Sequence, residues 1–277
     1  MTNQELPLSS SAGWRVAVES VRGAAHRRKG QANQDAVACR PASRISPWSI
    51  AAVADGHGSP ACLRSRTGAR LAVRCAIEAL HSLAVASRYS PRPGDGFLQP
   101  HWTRALVRQW QIAVTGHLHR CPVPLRSDAG ETEPPLVLYG TTLLAALACP
   151  QMLFFLQIGD GDILTVWPEG EIRTVWPPEP AIGEETASLC LPNAEQWVRT
   201  SILPVTADSP EMILLATDGY AKSFASRQDF LQVGSDLRDC IGSDGWRSML
   251  RQLPFWLRET TEAGSGDDIS VGILSRI

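Results

Sequence analysis

The sequence lacks paired cysteines. Its seven cysteines are odd in number and scattered along the chain, and none forms a Cys-x-x-Cys pair. This spacing argues against a zinc ribbon and against a disulfide framework. Reduced thiols in an intracellular protein are the simpler interpretation.

The sequence also lacks a segment that could span a bilayer. Its longest apolar runs, at residues 143–149 and 152–156, are far shorter than the roughly 20 residues that a membrane helix needs. Residues 1–11 contain no basic stretch followed by an apolar core, so they do not resemble a signal peptide. We therefore expect a cytoplasmic protein that is not embedded in a membrane.

No large excess of charge of one sign is present. The formal net charge is −2, which provides no general attraction to nucleic acid or to an anionic membrane surface. We expect neither as a partner, and we expect a monomer. The basic residues are concentrated only locally, at His26-Arg27-Arg28-Lys29, while a content of 44% apolar and 19% charged residues is typical of a globular protein with a substantial core.

Hydrophobic patterning predicts strands that come in runs and helices that come in pairs. Strands are predicted at residues 14–19, 49–54, 141–148, 153–158, 163–167, 172–176, 212–216 and 269–274. Helices are predicted at residues 63–83, 101–119, 229–240 and 246–259. Because strands and helices do not alternate regularly, we expect an α+β fold in which two antiparallel sheets form a sandwich with helices outside.

The division of the chain follows from its loops. Residues 89–100 and 121–136 are rich in proline, glycine or polar residues and are predicted to be loops. No shift in composition divides the chain, so we expect one domain over residues 1–277 with a core of about 14–275.

The most informative segment is Asp55-Gly56-His57-Gly58, directly after an apolar run. A carboxylate at the end of a buried strand is held rigidly, and a neighbouring glycine lets the backbone approach an ion, so the Gly56 carbonyl can be a ligand beside Asp55. Hard cations such as Mg²⁺ and Mn²⁺ prefer oxygen ligands. His57 can donate a proton to a leaving group near neutral pH.

Other acidic residues occupy similar positions, and each has a structural alternative. Asp218-Gly219 follows a second apolar run, and Asp160 and Asp267-Asp268 lie next to strand candidates. Asp35 comes at the end of a glycine-containing basic segment that is predicted to be a loop after the first strand. Taken alone, each acid can be explained as a helix cap, a β-turn or a solvated loop. These explanations would all have to hold together, and the order of the motifs along the chain is itself specific.

The ordered motifs resemble those of the metal-dependent Ser/Thr protein phosphatases of type 2C. They are Asn33-Gln34-Asp35, Asp55-Gly56-His57-Gly58, Gly140-Thr141-Thr142, Gly159-Asp160, Asp218-Gly219 and Gly264-Ser265-Gly266-Asp267. The resemblance covers residues 14–274 and implies a four-layer α-β-β-α sandwich with a binuclear manganese or magnesium site at one edge. It implies hydrolysis of phosphoserine or phosphothreonine in a protein substrate by direct attack of metal-activated water.

The resemblance also implies roles for single residues. Asp55 resembles the carboxylate that bridges both metals, with the Gly56 carbonyl as a further ligand, and His57 resembles the proposed general acid. We therefore expect Asp55 and His57 to be the catalytic residues. The remaining metal ligands implied are Asp218 and Asp267, Asp35 directly or through water, and Asp160, which with Asp218 can hold a weaker third ion.

The chain departs from the family pattern at several positions. Gln34 replaces a frequent Glu, Asp268 replaces a frequent Asn, and Gly161-Asp162 replaces a usual Ser-Arg. These substitutions are typical of a divergent bacterial-type member. Because Asp162 and Gly30 both depart from the family pattern, a catalytically weak binding or regulatory module is an alternative function. A phosphoesterase for small molecules, which would share the same site, is another.

The phosphate-binding residue is the most consequential departure. Many members have an Arg five residues before the acid that matches Asp35, and here that position is Gly30. Arg28 or Lys29 can supply the positive charge for substrate binding, and a solvated basic loop is the alternative.

Overall fold

The computed structural model describes residues 13–41, 45–87, 100–123, 135–177 and 186–277. Of the two predicted loops, residues 89–99 and 124–134 lie outside the described part, as do residues 1–12 of the expected domain. The described helices are α1 (Ala24–Arg28), α2 (Ser65–Ser87), α3 (Pro100–Arg120), α4 (Asp218–Ala221), α5 (Arg227–Ser243) and α6 (Trp246–Ala263). The described strands are β1 (Trp14–Val21), β2 (Ala36–Arg40), β3 (Ser49–Ala54), β4 (Leu143–Ala148), β5 (Met152–Ile158), β6 (Asp162–Val166), β7 (Ile172–Thr174), β8 (Arg199–Pro204), β9 (Met212–Ala216) and β10 (Ile269–Arg276).

The strands form two antiparallel sheets of five strands each. One sheet has the order β1-β10-β9-β6-β7, and the other has the order β2-β3-β4-β5-β8. The first sheet therefore joins the first and the last described strands, since Trp14 pairs with Arg276 and Val21 pairs with Ile269.

Three hydrophobic layers stabilise the sandwich. In β3, successive side chains point alternately into two of these layers. Ala51 and Val53 pack between the two sheets, whereas Ile50 and Ala52 point to the opposite face and pack with α2 and α3. Because side chains alternate along a strand, one strand serves both layers when both of its faces are buried. The third layer lies between the first sheet and α5 and α6. The predicted α-β-β-α sandwich is confirmed.

Helix α2 has one apolar and one basic face. Ala69, Ala72 and Val73 are buried at helical spacing against the second sheet, and Arg66 and Arg70 are exposed. Among the described residues, no helix combines the length and the apolar character that crossing a membrane requires.

Several predicted boundaries differ from the structure. The basic segment predicted as a loop before Asp35 contains α1, and the strands β2 and β8 were not predicted. Strand β4 begins at Leu143 rather than at residue 141, because Thr141 and Thr142 instead bind the backbone that follows β3.

Candidate metal centre

Five of the predicted acidic residues lie at strand ends on the same edge of the sandwich. Asp55 follows β3 and Asp218 follows β9, whereas Asp35 precedes β2 and Asp267 precedes β10. Asp160 lies between β5 and β6. Because these neighbouring strands are antiparallel, the end of one lies beside the beginning of the next.

One cleft of about 230 Å³ is lined by four of these five carboxylates: Asp55, Asp160, Asp218 and Asp267. Gly56 and His57 line the same cleft. Asp35 is buried behind it and accepts a hydrogen bond of 3.0 Å from Thr217 Oγ1. The structure thus brings together the acids that lie far apart in sequence.

The turn after β3 is fixed by hydrogen bonds on both sides. The Asp55 amide donates to Thr142 Oγ1 over 3.0 Å, and the Thr142 amide donates to the Asp55 carbonyl over 2.9 Å. A Cβ atom on Gly56 would lie 2.6 Å from the Gln34 carbonyl oxygen and 2.8 Å from the Ser65 carbonyl carbon. Only glycine fits this close approach of three backbone segments.

Asp268, the neighbour of Asp267, has a structural role. It is buried, and its carboxylate accepts the backbone N–H groups of Gly23 over 2.6 Å and of Gln34 over 2.7 Å. His26 Nδ1 lies 3.0 Å from Asp268 Oδ1, and the ring's Nε2 lies 3.7 Å from Asp267 Oδ1. Asp268 therefore links the segments before α1, before β2 and before β10.

Burial, together with the charges of neighbouring carboxylates, raises the pKa of several of these carboxyls. Burial, with the charges of Asp268 and Asp267 added to it, raises the pKa of Asp35 to about 8 against hydrogen bonds from Ser270 and Thr217. Burial and the charges of Asp35 and Asp218 raise the pKa of Asp55 well above its usual value. Like charges in a partly desolvated site favour the protonated form.

Asp218 is the exception among these carboxyls. Burial alone would raise its pKa, but hydrogen bonds from the Asp55 carboxyl and from Lys222, together with the charge of Lys222, lower it below the usual value. The pKa values of the neighbouring Asp55 and Asp218 are therefore shifted in opposite directions, upward for Asp55 and downward for Asp218.

Lys222 is a basic residue of this cleft that the sequence patterns did not indicate. Its ammonium group pairs with Asp218, four residues earlier, and lies 3.9 Å from Asp160 Oδ2. Burial disfavours its charge, yet the hydrogen bond and the charges of Asp218 and Asp160 raise its pKa. The spacing of four from Asp218 would have predicted the contact if the helical turn of α4 had been recognised.

His57 enters the same cleft from the turn after β3. Its backbone N–H donates to the Gly140 carbonyl over 3.1 Å, which fixes the turn. Burial lowers the pKa of His57, and the negative charge of Asp218 opposes that shift.

The residues present fit a cluster of divalent cations. Asp218 Oδ1 is buried. Apart from the neighbouring carboxyls, no group of the described residues donates a hydrogen bond to it. Oxygen donors dominate the cleft, which matches the preference of Mg²⁺ and Mn²⁺. A bound cation would favour the ionised form of these carboxyls and would reduce the repulsion between them.

Arg28 and Lys29 lie at the end of α1 and are exposed, and they do not line the cleft. Arg28 Nη2 is 3.8 Å from the position that a Cβ would take on Gly266, next to Asp267. Gly30 has a φ of +69°, and apart from its chain neighbours no described residue comes within 4 Å of the position that a Cβ would take there. The role of Arg28 and Lys29 in phosphate binding stays a prediction.

The substitution of Gly161-Asp162 for Ser-Arg has a structural explanation. Asp162 accepts two hydrogen bonds from Arg227, over 2.8 Å and 2.5 Å, at the start of α5. Asp162 therefore neutralises a neighbouring guanidinium group and does not add to the carboxylate cluster.

Comparison with solved structures shows the same fold in bacterial phosphatases. The catalytic domain of the serine/threonine phosphatase PstP in complex with two manganese ions matches with a TM-score of 0.58 and 18% identity, over 96% of this chain and 99% of that chain. PstP/Ppp of Mycobacterium tuberculosis matches with a TM-score of 0.57 and 17% identity, over 95% and 98%. PppA, a key regulatory component of the T6SS in Pseudomonas aeruginosa, matches with a TM-score of 0.57 and 18% identity, over 95% and 98%.

The sequence itself identifies the family. No curated protein sequence matches the chain. The family model described as protein phosphatase 2C, however, matches residues 22–258, which include all of the cleft's aspartates except Asp267. The chain therefore belongs to the protein phosphatase 2C family of phosphoprotein phosphatases.

Proposed function

We propose that this protein is a metal-dependent protein serine/threonine phosphatase that hydrolyses phosphomonoesters by direct attack of water at a site of two Mn²⁺ or Mg²⁺ ions. The observation that carries this proposal is the convergence of four aspartates on one cleft, with the buried Asp218 Oδ1 left without a donor among the described non-carboxyl groups. The family membership supports the reaction class.

Asp55, Asp218 and Asp267 are the proposed main ligands, with the Gly56 carbonyl as a further one. Asp35 is proposed to act directly or through water, because it is buried behind Asp55 and its charge contributes to the raised pKa of Asp55. Bound ions of this kind activate water as a nucleophile and neutralise charge on the phosphoryl group.

His57 is the proposed general acid. It lies in the cleft, where burial lowers the pKa of its imidazole and the negative charge of Asp218 opposes that shift in favour of the protonated form. A serine or threonine alkoxide is a poor leaving group, so a proton delivered to its oxygen lowers the barrier to cleavage of the P–O bond.

The substrate phosphate is proposed to contact Arg28 or Lys29, with Arg28 better placed. Its guanidinium lies over Gly266, next to the proposed ligand Asp267. Arginine also presents planar pairs of donors that suit phosphate oxygens. His26 and Lys222 are the basic side chains that line the cleft itself.

A third ion at Asp160 and Asp218 would compete with Lys222. The Lys222 ammonium group already lies between these two carboxylates. We therefore infer that Asp160 and Lys222 together form an ion pair where a third ion would otherwise bind.

The protein is further proposed to act as a single domain and a monomer in the cytoplasm. No disulfide joins any of the seven cysteines, all of which lie among the described residues, and this suits a reducing compartment.

The experiment that tests the function is hydrolysis of p-nitrophenyl phosphate with added Mn²⁺. We expect Asp55→Asn and Asp218→Asn each to lower kcat by about 100-fold or more, as expected when a group that stabilises the transition state is removed. Asp208→Asn is the matched control, because Asp208 is exposed between β8 and β9 at the opposite edge of the sandwich. Equal activity of all three variants and the unmodified protein would rule out the mechanism.

A further inference from the structure

A second cleft, of about 590 Å³, lies beside the candidate metal centre, between α2 and β2. Asn33 and Asp35 line it, and Val73 and Ile77 of α2 supply apolar surface. Since Asp35 is one of the proposed metal ligands, this cleft leads directly to the site.

The two elements that form this cleft run away from the metal centre side by side. Strand β2 begins immediately after Asp35, and α2 begins at Ser65, whose Oγ accepts a hydrogen bond of 3.2 Å from Gln34 Nε2. Along α2, the side chains of Arg66, Arg70 and Arg74 all line the cleft.

The spacing of these arginines can be estimated from regular geometry. Four helical residues rise about 6 Å, so Arg66 and Arg74 are separated by about 12 Å along the axis. Strand β2 covers about 13 Å between Ala36 and its last residue, Arg40. Arg40, which lines the same cleft, therefore reaches about as far from the metal centre as Arg74 does.

The four guanidinium groups carry charge that is not compensated within the described chain. All four arginines are exposed, and none has an ion pair or a side-chain hydrogen bond to another described residue. The acids that line the cleft are Asp35 at the inner end and Glu78, which accepts a hydrogen bond of 2.9 Å from Gln109. The cleft is therefore strongly basic along its length.

We propose that this arginine groove (Arg40, Arg66, Arg70 and Arg74) binds an extended acidic segment that flanks the phosphorylated Ser or Thr of a protein substrate. This proposal rests on the proposed phosphatase function. Alternate residues of an extended peptide are about 6.6 Å apart, close to the 6 Å spacing of successive arginines on α2. Acidic side chains at alternate positions would thus each meet one guanidinium group.

Strand β2 adds a second means of recognition. It is an edge strand, paired only with β3 among the described strands. An edge strand presents unpaired backbone N–H and C=O groups to which an extended peptide can bind. The groove therefore offers backbone pairing on one side and charge on the other.

The first arm of the test compares two phosphothreonine peptides, one with glutamates at alternate positions and one with glutamines there. The measured quantity is kcat/KM for each peptide divided by kcat/KM for p-nitrophenyl phosphate, which is too small to reach along the groove. We expect the glutamate peptide to be preferred, and the Arg70→Glu/Arg74→Glu variant to lower its ratio by about tenfold. Arg251→Glu, an exposed position on α6, is the matched control and is expected to leave the ratio unchanged.

The second arm measures binding without turnover. A fluorescein-labelled acidic peptide is titrated with the protein, and its anisotropy is followed at two ionic strengths. We expect binding to weaken in higher salt and in the Arg70→Glu/Arg74→Glu variant. A single-stranded oligonucleotide that binds more tightly than the acidic peptide would overturn the proposal in favour of nucleic acid.

The two arms separate failure of the inference from failure of the phosphatase function. If the kcat/KM ratios of the two peptides are equal while p-nitrophenyl phosphate is still hydrolysed, the role of the groove is contradicted and the phosphatase function is not. A parallel loss of activity on all substrates in the double variant would also overturn it, because the arginines would then support the site's structure. Absence of all hydrolysis would contradict the proposed function, and the binding arm would still decide the groove.

Discussion

The pKa values of the aspartates at the sheet edge differ because their surroundings differ. Burial raises the pKa of both Asp35 and Asp55, with the charges of Asp268 and Asp267 added at Asp35 and those of Asp35 and Asp218 added at Asp55, whereas hydrogen bonds and the charge of Lys222 lower the pKa of Asp218. Divergent pKa values within one group of identical side chains are typical of functional sites. We expect such a group of carboxyls to bind a cation in exchange for protons, because a carboxylate that holds a metal must be deprotonated.

Replacement of His57 should affect substrates unequally. We expect His57→Ala to lower kcat for a phosphothreonine peptide by about 10²-fold or more, as for loss of a general acid. The fall for p-nitrophenyl phosphate should be much smaller, because p-nitrophenolate leaves without protonation. Comparison of kcat for the two substrates checks this, and an equal fall for both would contradict the assigned role.

Stability of the metal-free protein should fall as pH rises. The pKa of Asp35 is raised to about 8 in the folded chain, from 3.8. Its contribution to stability is therefore complete below about pH 4 and is lost as pH rises through about 8. Asp55, Asp160 and Asp267 act in the same direction, since burial raises the pKa of each.

The measurement is the Tm of chelator-treated protein between pH 6 and pH 8.5. We expect the Tm of the unmodified protein to fall across this range and that of Asp35→Asn to fall less, because the variant cannot bind or release this proton. Asp208→Asn should follow the unmodified protein. Identical slopes for Asp35→Asn and the unmodified protein would show that Asp35 titrates normally.

Removal of Lys222 should change the number of bound ions. We expect Lys222→Met, which keeps an apolar chain, to permit a third, weaker Mn²⁺ at Asp160 and Asp218. Titration followed by the electron paramagnetic resonance of free Mn²⁺ measures this number, and Lys222→Met combined with Asp160→Asn is the control that should not gain the ion. If Lys222→Met and the unmodified protein bind the same number of Mn²⁺ ions, Lys222 does not compete with a third ion.

At the scale of elements, the agreement between sequence and structure depends on burial. Strands β3 and β9 were predicted residue for residue, because both are wholly buried, almost entirely apolar runs with an Asp-Gly pair shortly after them. Strands β2 and β8 lie at the edge of their sheet and are largely half-buried, so their sequences lack a clear apolar pattern. Their strand conformation depends on pairing with a neighbour, which local sequence does not encode.

The short helices α1 and α4 were not predicted, for a related reason. Helix α1 has five residues, and no side chain caps its N-terminus at Gly23. Helix α4 has four residues and begins at Asp218 itself. Neither is long enough to show a helical period, and the contact of Lys222 with Asp218 was missed with them.

Helix α5, in contrast, carries a clear start signal that can be tested. Ser226 Oγ accepts the Asp229 amide over 3.1 Å and donates to Asp229 Oδ2 over 2.7 Å. We expect Ser226→Ala to lower the free energy of unfolding by about 1 kcal/mol. Urea unfolding measures it, with Ser243→Ala at the exposed end of α5 as the control; equal losses in both variants would contradict the cap.

At the scale of the whole molecule, the site exists only because the sandwich folds. Asp35 and Asp267 are separated by most of the chain, yet both influence the cleft because β2 and β10 begin at the same edge. Hydrophobic periodicity indicated the sheets but not which strand ends would meet. The ordered motifs indicated that the aspartates would converge on one site. Side-chain geometry was needed to identify Lys222 and the arginine groove.

The most direct test of the central claim is calorimetric titration of chelator-treated protein with Mn²⁺. We expect two ions to bind per chain, and we expect Asp55→Asn to lose measurable binding of both because Asp55 is the proposed bridging ligand. Bound Mn²⁺ should also raise the stability of the unmodified protein, by about 2.7 kcal/mol when the free ion is at 100 times its Kd. Binding of Mn²⁺ by Asp55→Asn with the number and affinity of the unmodified protein would contradict the account.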